Sequence, residues 1–512
     1  MSSDYDVAIV GYGPTGMTLA ALLGRLGHRV IVLERYAGLY NLPRAACFDD
    51  EIMRVFQKFG LAEKISRGAR PQYEYDWVNS AGKLLLKLEY EKIAPGGWAA
   101  LYMMFQPHIE AVLDSYNKSL PTVEVRQGVT VSDLVQESEF ATLCGIGQDG
   151  QRVSVRARFV VGADGGNGFM RKRLCRRIDD YGFQENWLVC DFRLRRSISD
   201  LPLFRQVCDP AQPTSIVTIG PEHHRFSFML NPDDNPEEVT SHKNIWSRVS
   251  PFVSEDDAEI IRAANYTFRS RIADRWQVGR IFLAGDAAHE MPPFLGQGMC
   301  SGIRDSHNLA WKLDLILKGQ ADVKLLDSYQ AEREPHVRFI TEKAIELGRV
   351  QTLRDPNKAH ERDMRLLAQR QANEKPEKIR FPALKRGFIA DNGGFFPQGR
   401  VCVSGQTCLF DDAVGDGWCI VARGPEVFAG LTPAHRKFWQ SIGGRTVTVG
   451  QSSSADVHDA DGVYASWFAR SSSSAAVVRP DWYVYGSASD HYDLAKMIEQ
   501  MAKSLQPRMA LA

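Results

Sequence analysis

Three glycines and one acid near the start of the chain have the types and spacing that bind a dinucleotide. Gly11, Gly13 and Gly16 follow an apolar run at residues 5–10, and Glu34 ends the next apolar run, 18 residues beyond Gly16. The first glycine allows a tight turn, the second lets the backbone approach a pyrophosphate, and the third lets the helix pack on the strand. The start of that helix adds a partial positive charge for the phosphates. An acid at position 34 can accept hydrogen bonds from ribose hydroxyls and argues against a 2′-phosphate, so FAD or NAD is favoured over NADP.

A second match to the same glycine spacing lies at residues 145–150. It is followed by an alternating, β-branched run at 152–161, with Asp149-Gly150 between two strand-like segments. This arrangement predicts a β-hairpin turn and not the start of a helix.

Two aspartates and a proline-glycine loop extend the candidate site. Asp164 follows the apolar run 159–163, and Asp286 follows the buried-strand pattern 281–284. The loop at 291–299 then opens a long helix, whose first N–H groups can stabilise negative charge on a bound ring. Pro293 stiffens this loop. A plain helix entry with a tight turn is the alternative.

Together with the glycine motif, these segments resemble the single-component flavoprotein aromatic hydroxylases of the para-hydroxybenzoate hydroxylase class. The most similar branch contains the 3-(3-hydroxyphenyl)propionate, phenol, resorcinol and polyketide hydroxylases. The resemblance covers essentially the whole chain and includes Pro43-Arg44-Ala45, Asp49-Asp50-Glu51 and the run from Met291 to Leu313. It is specific for the class and much less specific for the substrate.

The resemblance implies a role for each site residue. In the family, the aspartate at the position of Asp286 binds the ribityl chain, and the one at Asp164 serves FAD and nicotinamide binding. Arg44 resembles an arginine that reaches the FAD phosphates, and Gln106 resembles a glutamine that binds the ribityl chain. Backbone atoms at Val131 would contact the adenine ring. An exposed arginine and a structural glutamine are the alternatives. The expected cofactor contacts are Gly11, Gly13, Pro14, Thr15, Gly16, Glu34, Arg35, Arg44, Gln106, Val131, Asp164, Asp286, Pro293, Gly296, Gly298 and Met299.

The activity implied by the resemblance is an FAD-dependent monooxygenase that hydroxylates a phenolic ring. NADH or NADPH would reduce the non-covalent FAD, and O2 would react through a flavin C4a-hydroperoxide. Pro293 and Gly298 would position the flavin loop. The substrate is expected between this loop and the strands of 183–230, in contact with Phe226, Phe228 and Pro293. A flavin oxidase or dehydrogenase without oxygen insertion, and a non-catalytic FAD-binding scaffold, stay open as alternatives.

The elements that must position these residues predict an α/β fold in several parts. Helical periodicity is found at 48–66, 298–318 and 327–347, whereas 183–230 alternates like antiparallel strands. We expect a Rossmann-like FAD-binding domain with an inserted antiparallel β-sheet substrate domain and a C-terminal thioredoxin-like domain. The expected boundaries are 1–180 and 276–350 for the FAD-binding domain, 181–275 for the substrate domain, 351–394 for a solvated helical linker and 395–512 for the C-terminal domain.

The amino-acid composition limits the classes of partner that we expect for this protein. Of the 512 residues, 62 are Lys or Arg and 62 are Asp or Glu, so the net charge of zero gives no basic surface for nucleic acid. The nine cysteines are scattered, which indicates reduced thiols, a cytoplasmic location and no metal site. The start of the chain lacks the pattern of a signal peptide, and no apolar run is long enough for a membrane span. A homodimer is an open alternative to a monomer.

Overall fold

The computed structural model describes residues 5–391, 393–452 and 455–505, so residues 506–512 of the expected C-terminal domain lie outside the described part. The helices are α1 (Pro14–Arg25), α2 (Asp50–Lys58), α3 (Ala62–Ser66), α4 (Gln106–Ser119), α5 (Phe169–Leu174), α6 (Pro236–Val239), α7 (His242–Val249), α8 (Gly298–Leu317), α9 (Asp327–Gln351), α10 (Pro356–Gln371), α11 (Phe410–Val414), α12 (Pro433–Ser441), α13 (Val463–Ser471) and α14 (His491–Leu505). The strands are β1 (Tyr5–Val10), β2 (Val30–Glu34), β3 (Cys47–Asp49), β4 (Ala69–Pro71), β5 (Glu74–Val78), β6 (Leu84–Glu89), β7 (Leu101–Met104), β8 (Val123–Gln127), β9 (Thr130–Gln136), β10 (Ala141–Ile146), β11 (Arg152–Gly162), β12 (Ile178–Leu194), β13 (Phe204–Val207), β14 (Thr214–Thr218), β15 (His223–Met229), β16 (Ala258–Ala273), β17 (Gln277–Val278), β18 (Ile281–Leu283), β19 (His289–Glu290), β20 (Arg400–Val403), β21 (Gln406–Leu409), β22 (Cys419–Ala422), β23 (Arg445–Gly450), β24 (Val457–Asp459), β25 (Ala475–Val478) and β26 (Val484–Ala488).

The first sheet has the predicted strand–turn–helix–strand unit at its centre. Strand β1 pairs in parallel with β2 on one side and with β11 on the other, and β18 and β8 extend the parallel set. Residues of β1 and β2 are almost all buried, as expected for parallel strands covered by helices on both faces. The carboxyl ends of β1, β11 and β18 therefore lie side by side, and they carry Gly11, Asp164 and Asp286.

The second glycine-rich segment forms a hairpin, as predicted from its flanking strands. Strands β10 and β11 pair antiparallel from Ala141 opposite Ala157 to Ile146 opposite Arg152. Gly150 in the turn has φ +76°, a conformation that glycine adopts without strain.

The second sheet carries the inserted substrate domain. Its strand order is β19-β16-β12-β15-β14-β13-β5-β6. One face packs on α7 through a buried cluster that includes Leu188, Phe192 and Trp246. The sheet also includes β5 and β6, which lie outside the expected range of 181–275. The hairpin joins because β5 pairs in parallel with β13, a long-range pairing that sequence patterns do not reveal.

The predicted linker does contain a helix, α10, but this helix is not fully solvated. Leu366 is buried against the β5–β6 hairpin and Arg362 donates to the Cys208 carbonyl at 2.7 Å. After α10 the chain runs without regular structure through residues 375–383. These contacts place the linker along the second sheet.

The C-terminal domain has the strand arrangement of a thioredoxin-like fold. Strands β22 and β23 are parallel, and β25 and β26 add antiparallel beside β22 in the order β23-β22-β25-β26. Helices α12, α13 and α14 follow β22, β24 and β26 in the chain. Cys402 and Cys408 of this domain are free thiols.

A buried charge cluster joins the C-terminal domain to the FAD-binding domain. Arg479 pairs with Glu332 at 2.7 Å and with Asp481 at 2.6 Å, and Lys312 pairs with Glu332 at 2.9 Å. Trp311 donates its indole N–H to Asp481 at 3.0 Å. All four charged side chains are buried, which supports a structural role for this domain.

Candidate active site

A continuous cavity of about 2540 Å³ runs between the first and second sheets. At one end it is lined by the glycine turn. Gly11 has φ +105°, and a Cβ at this position would come within 2.4 Å of the Ala163 carbonyl oxygen. A Cβ on Gly16 would meet the Gly11 oxygen at 2.1 Å, so Gly16 serves helix packing and does not line the cavity. The open backbone at Gly13 remains accessible to a pyrophosphate.

Glu34 is held at the end of β2 by two backbone donors. Its Oε2 accepts from the Tyr12 N–H at 2.7 Å and its Oε1 from the Tyr36 N–H at 3.0 Å. Each carboxylate oxygen can accept a further bond, so a ribose can still be bound. Arg35 is exposed at the cavity rim and donates to the Tyr36 hydroxyl at 3.0 Å.

Asp164 provides an orphaned acceptor beside the glycine turn. Its Oδ2 accepts from the Met170 N–H at 2.9 Å, whereas its Oδ1 is buried without a partner. Burial raises the pKa of the Asp164 carboxyl, and the backbone N–H groups of Met170 and Phe169 offset part of this increase. A buried acceptor without a donor is costly, so a ligand hydroxyl would stabilise this site.

Asp286 lies in a single 3₁₀ turn, Gly285–Ala287, after β18. Its carboxylate is open to the cavity, and the enclosing protein raises the pKa of this group above its ordinary value. Asp305 of α8 fixes the turn, because its Oδ2 accepts from the Gly285 N–H at 3.0 Å and from His289 at 2.7 Å. Burial raises the pKa of Asp305, but His289 and Arg333 outweigh it and hold that pKa below its ordinary value.

The proline-glycine loop runs along the cavity into α8. Pro293 starts a second 3₁₀ turn that ends at Gly296, and α8 begins at Gly298 without a side-chain cap. The N–H groups of the first turn, including that of Met299, are therefore available to a ligand. Pro293, Gly296, Gly298 and Met299 all line the cavity, and their contact with the flavin stays a prediction.

Arg44 and Gln106 lie at the cavity but are tied to the protein. The Gln106 side-chain oxygen accepts from the Ala45 N–H at 2.6 Å, and its amide nitrogen donates to Glu110 at 2.7 Å. Arg44 pairs with Glu110 at 3.1 Å and is half-exposed. Gln106 thus orients the Arg44–Ala45 backbone, which favours the structural alternative for the glutamine. Val131 on β9 lines the cavity, and its adenine contact stays a prediction.

Phe226 and Phe228 do not line the cavity, so the prediction that they contact substrate needs correction. Both are buried in the cluster against α7. Side chains alternate along β15, and it is Arg225 and Ser227 that line the cavity. The sequence showed the alternation but not which face meets the ligand.

A buried charge cluster lies beside the proline-glycine loop, and it was not predicted from the sequence. Arg304 donates to Glu51 at 2.6 Å and to Gln297 at 2.9 Å, and it also pairs with Asp49. Gln297 immediately precedes α8, so Arg304 connects the start of α8 to that of α2. The acid run at 49–51 and the arginine at 304 are visible in the sequence, but their pairing depends on the fold.

The residues present fit FAD. The glycine turn and the start of helix α1 can bind a pyrophosphate, and Glu34 can bind a ribose. Asp286 and the unpartnered Asp164 oxygen can accept hydrogen bonds from further hydroxyls of FAD. Within the described ranges, no group of side chains has the arrangement of a metal site, and no helix is both long and apolar enough to cross a membrane.

Comparisons with known proteins agree with an FAD-binding fold. Residues 4–344 match the family described as FAD binding domain, and residues 393–504 match the HcaD C-terminal domain. The fold and site thus define an FAD-binding α/β protein. The chain is 55% identical over 506 residues to a probable NADH-specific resorcinol 4-hydroxylase of Rhodococcus jostii, covering 98% of this chain and 95% of that protein. It is 30% identical to a 3-(3-hydroxy-phenyl)propionate/3-hydroxycinnamic acid hydroxylase of Paraburkholderia xenovorans, and the match covers 99% of this chain and 93% of that protein.

The chain belongs to the family of single-component FAD-dependent aromatic hydroxylases, which are flavoprotein monooxygenases. Two solved structures show the same fold. The flavin-dependent monooxygenase PieE has a TM-score of 0.81 at 22% identity, covering 99% of this chain and 100% of that chain. Aklavinone-11 hydroxylase has a TM-score of 0.80 at 22% identity, covering 98% and 100%. The predicted fold class is thereby confirmed.

We expect Asp286→Ala to weaken FAD binding about 10- to 150-fold. Loss of a charged hydrogen-bond acceptor costs roughly 1.5–3 kcal/mol, and the backbone oxygen that accepts from Arg171 is untouched. Fluorescence titration of the apoprotein with FAD measures the change. Asp461→Ala, at an exposed ion pair with Arg400, is the matched control. Equal affinities for Asp286→Ala and the wild type would remove Asp286 from the site.

The carboxyl group of Asp50 should make the folding stability of the protein depend on pH. Burial, followed by the charge of Asp49, raises the pKa of its carboxyl to about 7, although the Gly96 N–H lowers it. A raised carboxyl pKa favours the folded state at low pH, and this contribution is lost as the pH rises from about 4, the unfolded value, to about 7. We therefore expect Asp50→Asn to match the wild type near pH 4 and to be more stable above pH 7. Melting temperatures of FAD-free protein across this range test it, and parallel curves would contradict it.

Proposed function

We propose that this enzyme hydroxylates resorcinol-type phenols, with NADH as the reductant and O2 as the oxidant. The observation that carries the proposal is the continuity of the cavity. It runs from the dinucleotide-binding turn past the Pro293 loop to an end walled by aromatic side chains, among them Trp187, Phe204 and Phe268. The name of the Rhodococcus relative supports resorcinol and NADH as the specific reactants.

When bound, FAD supplies the redox chemistry: it takes two electrons from NADH and activates O2, so that one oxygen atom enters the ring and the other leaves as water. The protein holds the ring and excludes water. Trp187 is 2% exposed and packs against Phe294 of the loop with ring centroids 6.2 Å apart. Such enclosure limits loss of oxidising equivalents to water.

Ring position 4 of resorcinol is ortho to one hydroxyl and para to the other. Both oxygens donate electron density to that carbon, which favours attack by an electrophilic oxygen. The residues that orient the two hydroxyls therefore decide where the new oxygen is placed. We propose the cavity face of β12, β14 and β15, including Val217 and Ser227, as the surface that contacts the ring.

Membership of the monooxygenase family disfavours both alternatives, the flavin oxidase or dehydrogenase and the non-catalytic scaffold. The homodimer and the cytoplasmic location stay predictions. The test is oxidation of NADH and of NADPH by the FAD-loaded enzyme with resorcinol, with mass analysis of the product. We expect preference for NADH and formation of 1,2,4-trihydroxybenzene. Hydrogen peroxide without a hydroxylated product would contradict the proposal.

A further inference from the structure

Three buried polar atoms at the aromatic end of the cavity make no hydrogen bond of normal geometry within the protein, and their polar neighbour is the Tyr75 hydroxyl. They are Nε1 of Trp77 and both amide atoms of the Gln351 side chain. The two residues are only 2% and 1% exposed, and both line the cavity. A buried donor or acceptor without a partner costs about 1–3 kcal/mol. A ligand in the cavity can provide the missing hydrogen bonds.

Strand β5 and the end of α9 bring these groups together. Tyr75 and Trp77 are two residues apart on β5 and therefore share a face. Gln206 on β13 is the direct partner of Trp77 in the sheet. Gln351 is the last residue of α9. Three segments distant in sequence thus supply one polar cluster, which we call the distal cluster: Tyr75, Trp77, Gln206 and Gln351.

The Tyr75 hydroxyl belongs to the same cluster. Burial raises its pKa well above the ordinary value, and the nearby Gln351 and Trp77 side chains offset part of this increase. The hydroxyl is therefore neutral at physiological pH and can both donate and accept a hydrogen bond. The Tyr75 ring is fixed by stacking on Phe204, with centroids 3.6 Å apart.

The surroundings of the distal cluster are apolar. Leu85, Cys208 and Leu366 are buried around Tyr75 and Trp77, and Leu347 and Val350 pack against them. A bound group must therefore be small and neutral at this point. A hydroxyl fits, because it donates one hydrogen bond and accepts two.

The distal cluster lies close to the flavin loop. Phe294 packs directly on Gly348 of α9, where a Cβ would come within 2.4 Å of the ring. Gln351 lies three residues further along, on the same face and about one helical turn away. The distance along α9 between Gly348 and Gln351 is comparable with the width of a single aromatic ring.

We propose that Gln351 and Trp77 form a specificity subsite that hydrogen-bonds the second hydroxyl of a 1,3-dihydroxybenzene. The subsite holds one hydroxyl at the distal cluster, so the ring is fixed in one orientation beside the Pro293 loop. This inference rests on the proposed function, because it assigns the substrate-orienting role within the same cavity. It names Gln351 and Trp77 as positioning residues.

The test compares resorcinol with 3-methylphenol, in which a methyl group replaces the second hydroxyl. Gln351→Met keeps the side-chain volume and removes both polar atoms. We expect this variant to lower kcat/KM for resorcinol about tenfold and to change that for 3-methylphenol less than twofold. Gln500→Met, at an exposed position on α14, is the control and should change neither.

Calorimetric titration of both phenols into the FAD-loaded enzyme without NADH gives a readout independent of turnover. We expect the wild type to bind resorcinol more tightly, and Gln351→Met to abolish the difference. Equal losses of affinity for both phenols, or no loss of affinity for resorcinol, would contradict the proposed subsite. Trp77→Phe provides the same comparison where Gln351→Met does not fold. If neither phenol supports NADH oxidation, the proposed function fails, and the titration still decides the subsite.

Discussion

We expect Arg304→Met to lower the free energy of unfolding of the FAD-binding domain by about 3–5 kcal/mol. The substitution leaves Asp49 and Glu51 buried as unpaired charges, and removing one partner of a buried ion pair costs this much. Arg304 is 3% exposed, so little water can replace it. Urea unfolding of the variant, followed by circular dichroism, measures the loss.

The triple variant Asp49→Asn, Glu51→Gln, Arg304→Met is the matched control. It removes the whole charge cluster, and so most of the lost stability should return. If the triple variant is no more stable than the single one, packing of the arginine and not charge compensation explains the effect. FAD affinity should follow the same order, because Gln297 at the start of α8 depends on Arg304.

The second large effect is on the rate of NADH oxidation. We expect bound resorcinol to accelerate it about 100-fold. In the described part of the chain, a single glycine turn of the strand–turn–helix type is present, and bound FAD would occupy it. NADH must therefore dock transiently at the cavity, and substrate can control whether that docking is productive. A shift of the competent state from 1% to 99% of the population would raise the rate about 100-fold.

Stopped-flow mixing with NADH in the absence of O2 tests this expectation. The control ligand is 1,3-dimethoxybenzene, which has the same ring but no hydroxyl donor and should give no acceleration. Equal rates with and without resorcinol would contradict substrate control and favour the oxidase or dehydrogenase alternative.

The dinucleotide-binding part of the site could be predicted from sequence because its determinants are local. Gly11, Gly16 and Glu34 lie within one strand–turn–helix–strand unit, and their spacing alone fixes the geometry. The hairpin at 145–150 was separated from this motif by its flanking β-branched residues. The resemblance to the hydroxylases assigned both aspartates to the site, and the parallel pairing of the strands before them places them beside the glycine turn.

The substrate end could not be predicted in the same way. Strand β15 alternates correctly in the sequence, but either face could have met the ligand, and Phe226 and Phe228 were placed on the wrong one. Their large apolar side chains are more stable against α7 than beside a polar ligand. Trp77 and Gln351 meet only through the pairing of β5 with β13 and the packing of α9, which no local pattern records.

The charge cluster between Lys312, Glu332, Arg479 and Asp481 has a consequence for exchanging parts between related enzymes. Glu332 and Lys312 come from the FAD-binding domain, whereas Arg479 and Asp481 come from the C-terminal domain. A chimera that took its C-terminal domain from a relative without these two residues would leave two opposite charges and a tryptophan N–H sealed at the junction. Recombination near residue 390 therefore conserves a folded enzyme only when both halves of the cluster are inherited as a matched set.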